Sequence, residues 1–165
     1  MDTQIENKIR TAASYKSMAV AAQNAGKITE ADSFMTKFYD SMKSIYVEYP
    51  DDRTKKGYFT GTATIGLYLL QQNRHKEAFK YCTEAFDLIK EIYDTQSSPD
   101  NAMGVVSMAN QLLICSFETE QFEEVESVYN YARDIADKLH THFADNEQVQ
   151  MILGQFDRFK EAFEQ

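Results

Sequence analysis

Apolar side chains recur along this chain at the spacing of one face of an α-helix, and the same face returns three times. From Ala31 the apolar positions are Phe34, Met35, Phe38, Met42 and Ile45; from Ala78 they are Tyr81, Cys82, Ala85, Ile89 and Ile92; from Val125 they are Val128, Tyr129, Ala132, Ala136 and Leu139. Offsets of 3, 4, 7, 11 and 14 residues from each anchor draw one stripe down a helix. The anchors stand 47 residues apart, and each closes a short turn: GKITEA from Gly26, NRHKEA from Asn73 and EQFEEV from Glu120. Proline occurs only at Pro50 and Pro99, in EYPDD and SSPDN, and the Asp or Asn after each is expected to cap a new helix.

These breaks predict helices near 4–24, 28–49, 53–72, 75–94, 100–117, 121–143 and 146–163. The fold class is therefore all-α, with three antiparallel hairpins at about 4–49, 53–94 and 100–143 and a C-terminal helix at about 146–163, in one domain over 1–165. A single hairpin cannot bury its stripe, whereas stacked hairpins can, so such units occur in series with capped ends. The last helix carries Val149, Ile152, Leu153, Phe156, Phe159 and Phe163 on one face. That face either caps the third hairpin or docks onto another chain, as in a homo-oligomer.

Charge narrows the partners. With 26 acidic and 17 basic residues, a net charge near −9 repels phosphate backbones and anionic lipid surfaces, which argues against nucleic acid and membrane as main partners. The longest apolar runs, such as GLYLL and LLIC, fall far short of the roughly 20 residues that cross a bilayer. The start, MDTQIENKIR, has no apolar segment of a secretory leader. Cys82 and Cys115 lie inside apolar helical patterns, where a free buried thiol is expected and a cytoplasmic location follows.

Catalytic candidates are scarce, and the chain is read as a non-enzyme needing no cofactor or metal. His75 takes the turn position of Ile28 and Phe122 and is expected to pack; His140 and His142 stand two apart on a helix, which does not suit shared metal ligation. There is no Glu-x-x-His, no Gly-rich phosphate loop and no Gly-x-Ser-x-Gly. The glutamates 118, 120, 123, 124 and 126 read as solvated turn surface. Gly57 and Gly61 inside a helix each cost up to about 1 kcal/mol against Ala. They mark either a late-starting helix or the close approach of a bound chain.

The turns with their Glu-Ala or Glu-Val ending, and the small residues Ala19 and Gly66 that stand twelve positions before Ala31 and Ala78, resemble tetratricopeptide repeats. The third repeat departs, with Leu113 and Val125, so its helices should sit further apart or repack. The family's usual period is about 34 residues. A period of 47 is closer to the long-helix kinesin light chain type, to which Met108 to Leu139 is similar. The resemblance implies a protein-interaction scaffold that holds a partner's peptide in a groove lined by the first helix of each hairpin. By position that face comprises Ala13, Lys16, Val20 and Asn24; Thr60, Ala63, Leu67 and Gln71; and Ser107, Asn110, Gln111, Ile114 and Glu118. Asn110 and Gln111 resemble the paired amides that grip a peptide backbone in such repeats. With one cation, Lys16, and a net negative protein, the expected ligand is a neutral or basic, partly apolar segment. A secretion-chaperone-like protein and a sensor of a small peptide or metabolite are the alternatives.

Overall fold

The computed structural model describes residues 2–164 and shows an all-helical chain: α1 Asp2–Asn24, α2 Ile28–Glu48, α3 Asp52–Gln71, α4 His75–Thr95, α5 Pro99–Thr119, α6 Val125–His142, α7 Glu147–Asp157 and α8 Lys160–Phe163, with no strand among the described residues. It falls into two compact units whose boundary lies inside α3, between Ile65 and Gly66.

The 47-residue period of the sequence is also a period of the backbone. One or two residues past the first helix of each hairpin the backbone is left-handed, at Gly26 (φ 74°), Asn73 (φ 58°) and Glu120 (φ 56°). In each turn an N–H reaches back five residues to a helix carbonyl: Lys27 to Ala22 at 2.9 Å, Arg74 to Leu69 at 3.0 Å and Gln121 to Ser116 at 3.0 Å. This is the hydrogen bond that closes a helix on a left-handed residue, a role that suits Gly and Asn and strains Glu. The second helices also end in register, where Tyr49, Gln96 and Phe143 donate their N–H to Ile45, Ile92 and Leu139.

Three details differ from the sequence expectation. At Pro50 the following residue does cap: Asp51 accepts from the Thr54 N–H at 2.8 Å, and Thr54 Oγ1 accepts from the Asp51 N–H at 3.0 Å. At Pro99 the cap is instead Ser98, whose side chain accepts from the Asn101 N–H, and the proline is the first helical residue, where its missing N–H costs nothing. Second, α6 starts at Val125 instead of near 121, because Glu124 (φ 61°) takes a second left-handed conformation and delays the helix. Third, the C-terminal segment is not one helix. The N–H groups of Phe159 and Ala162 reach back only three residues, to Phe156 and Phe159, and this tightened turn separates α7 from α8.

In the first unit α1 packs on α2, burying Ile5, Ala12, Ala19 and Ala22 against Ala31, Met35, Phe38 and Met42. The opening turns of α3 lie on α2, with the Tyr46 and Tyr58 rings 5.7 Å apart. This explains two glycines. A Cβ at Gly57 would stand 2.9 Å from Met42 Cε, and one at Gly61 would stand 3.1 Å from Met42 Cβ and 3.6 Å from Tyr39 Cα. Helix α3 is already formed at both positions, so neither a late start nor a bound partner accounts for them; the chain that approaches is α2.

The two sites differ in what must yield. Met42 Cε is the far end of a flexible side chain, so Gly57→Ala is expected to be neutral or to gain up to about 1 kcal/mol of helix propensity. At Gly61 the neighbours sit at the root of α2 side chains, and overpacking of about 1–3 kcal/mol outweighs that gain. Thermal melts should therefore move in opposite directions, or only for Gly61→Ala; equal shifts would contradict the packing.

In the second unit the end of α3 meets α4 at Gly66, where a Cβ would lie 3.2 Å from Cys82 Sγ. Helix α5 is the central element: it packs on α4, α6 and α7 and buries Val105, Val106, Ala109, Leu112, Leu113 and Cys115. Cys82 and Cys115 are free and buried with their sulfurs 3.9 Å apart, and mutual contact together with burial pushes the Cys82 thiol up from its ordinary range. Helix α7 packs on α5 and α6 through Val149, Leu153 and Phe156. Of the aromatic face, Val149, Leu153, Phe156 and Phe159 are buried within the chain, while Ile152 and Phe163 are half-buried.

Candidate functional site

The residues expected to hold a peptide fall in both units. In the first unit Ala13, Lys16, Val20 and Asn24 of α1 and Thr60 of α3 are exposed, while Ala63 is half-buried. The Thr60 hydroxyl donates to its own helix at Lys56 O, 2.9 Å away, and so keeps only acceptor capacity. In the second unit Leu67 and Gln71 of α3 and Glu118 of α5 are exposed, whereas Ser107, Gln111 and Ile114 are half-buried. The most informative pair is Val20 and Leu67. They occupy the same place in successive repeats and remain 43% and 42% exposed, although buried side chains flank both in their helices.

Asn110 does not belong to an open face. It is 7% exposed, because α7 lies over this part of α5, and its Oδ1 accepts a long contact of 3.5 Å from the Arg158 guanidinium. Its role is to tie α5 to the end of α7. Gln111 is also not the free amide the resemblance implies, since its Oε1 is buried and has no hydrogen-bond partner among the described residues. A buried acceptor without a donor costs about 1–3 kcal/mol, so this oxygen would gain from any donor that reached it. Of the two amides, Asn110 is thus covered within the chain and Gln111 presents a buried acceptor.

The histidines are separated. His140 Nε2 is 3.2 Å from Asp157 Oδ2, His142 Nδ1 is 2.7 Å from the Lys138 carbonyl, and His75 is half-buried at the start of α4. Among the described residues no three His, Cys, Asp or Glu side chains come together as a metal set. Among the described residues no helix is long and apolar enough to cross a membrane.

The third repeat holds a feature that the sequence reading did not name. Leu113 and Val125, the bulky pair that replaces small residues there, both line a cavity of about 250 Å³ between α4, α5 and the start of α6. The departure from the repeat pattern was its only sequence signal.

The chain matches no family model, no curated protein and no solved structure.

Proposed function

We propose that the chain is a non-catalytic binding scaffold of tetratricopeptide type, whose hairpins stack and present the first-helix faces to a peptide segment of a partner protein. The observation that carries this reading is the exposure of Val20 and Leu67, one 47-residue repeat apart, each with an amide one turn further on at Asn24 and Gln71. A single exposed apolar residue means nothing; the same exposure in the same register on two helices is a pattern. Further support comes from the recurring helix closures at Gly26, Asn73 and Glu120, and from the close contact of Gly66 with α4 where the family places a small residue.

The chemistry of the face selects the ligand class. Apolar groups at Val20, Leu67 and Ile114 take one or two apolar side chains, and Asn24, Gln71, Ser107 and Gln111 address a peptide backbone. With Lys16 the only cation on the face and a net charge near −9, a neutral or basic segment is favoured over an acidic one. Ordering a flexible peptide offsets much of the contact energy, so affinities in the micromolar range or weaker are expected.

The test is selection from a random peptide display library, followed by titration of the selected peptides against Leu67→Glu. Loss of one apolar contact and the addition of a carboxylate should weaken binding about tenfold or more. The melting temperature should hardly change, because the residue is 42% exposed. Enriched peptides that bind Leu67→Glu as well as the parent, or that are strongly acidic, would place the working surface elsewhere.

A further inference from the structure

The cavity of the second unit is separate from the peptide face and has a chemistry of its own. Its walls are apolar, from Phe79 and Phe86 of α4, Leu112 and Leu113 of α5, and Val125 and Val128 of α6. Its two lining hydroxyls are already committed: Thr83 Oγ1 donates to Phe79 O at 2.9 Å and Ser116 Oγ donates to Leu112 O at 2.8 Å. The remaining polar side chains around it are three carboxylates, Asp87, Glu123 and Glu124.

Among the described residues no lysine, arginine or histidine lines this space. One cation that acts on Asp87 is Lys90, whose Nζ lies 4.7 Å from the centre of the Tyr131 ring. Burial, and next the Glu124 charge, push the Asp87 carboxyl up from its usual range, with Glu91 and Glu84 acting in the same direction and Lys90 against it. Three carboxylates thus meet at this rim with no cationic side chain among the described residues that line it. Glu124 stands at the entrance to α6, where its backbone is left-handed with a φ of 61°.

An anion would meet only like charge at this site, and a neutral polar ligand would find acceptors but no free side-chain hydroxyl to donate to it. A cation with an apolar body satisfies both surfaces. We infer that the cavity between α4, α5 and the start of α6 binds a small organic ammonium ion, its apolar body against Phe79, Phe86, Leu112 and Val128 and its charged head between Asp87 and Glu124. At about 30 Å³ per non-hydrogen atom, the share a water molecule takes in the liquid, a volume of about 250 Å³ admits a body of about eight such atoms.

Benzylamine, protonated at neutral pH, is a probe of that size; benzyl alcohol and benzoate are its neutral and anionic counterparts. Methyl NMR of the full chain should show saturable shifts at Leu112, Leu113, Val125 and Val128 with benzylamine, with a dissociation constant on the order of 1 mM. Benzyl alcohol should bind about fivefold more weakly and benzoate not at all. The double variant Asp87→Asn, Glu124→Gln should lose about tenfold in benzylamine affinity while melting at the parent's temperature or above. Leu67→Glu, which disables the proposed peptide face, should leave benzylamine binding unchanged, so the two sites fail separately. Equal binding of benzyl alcohol and benzylamine, an unaltered affinity in the double variant, or shifts confined to other methyl groups would overturn the assignment, as would the absence of any saturable shift.

Discussion

Replacing Phe156 by alanine is expected to cost about 3–5 kcal/mol, the range for removing a fully buried aromatic ring. The ring is 1% exposed and stacks on Tyr129 at 5.3 Å with an interplanar angle of 20°. Tyr129 in turn stacks on Phe163 at 4.4 Å, so one truncation opens a gap in a run of three rings that joins α6, α7 and α8. In a chain of 165 residues such a loss should lower the melting temperature by about 10 °C. Met151→Ala is the comparison on the same helix, because that side chain is 61% exposed and should change stability by less than about 0.5 kcal/mol. Urea unfolding of the two variants measures both; a Phe156→Ala cost below about 1 kcal/mol would mean that α7 is not docked as described.

Ending the chain after Asp145 should have a still larger effect. It removes Val149, Leu153 and Phe156 together, uncovers Tyr129 on α6, and deletes the Arg158 contact that tethers Asn110. In repeat proteins the terminal element supplies the last covered interface, and without it the preceding hairpin exposes its apolar stripe. The expected loss is about 5 kcal/mol or more, enough to remove most of an ordinary domain's stability. Association or aggregation of the truncated protein should accompany it. A truncated chain that stays monomeric and unfolds at the parent's urea midpoint would show that α7 and α8 are an appendage.

What the sequence made legible was the part of the structure that depends on local chemistry and on period. The stripe of Ala31, Ala78 and Val125 marks three helices whose ends recur in the backbone, at Tyr49, Gln96 and Phe143. Turns built on Gly26 and Asn73 were readable because those residues favour a left-handed conformation. The third turn was readable only from its place in the 47-residue period, because Glu120 and Glu124 adopt that conformation against their own preference. The same limit applies to Gly57 and Gly61, whose reason is the path of α2, and to Asn110, which reads as a surface amide until α7 is laid over it. The matched exposure of Val20 and Leu67 was legible through repeat position alone. The acid-rimmed cavity was not, since it depends on how far α6 stands from α4.

The most direct test of the scaffold reading is backbone amide NMR of the full chain titrated with a peptide selected from the display library. The account predicts shifts that follow the first helices, at Val20 and Asn24, at Leu67 and Gln71, and at Ser107, Gln111 and Ile114. Shifts confined to the second helices α2, α4 and α6, or to the cavity at Asp87 and Glu124, would contradict it.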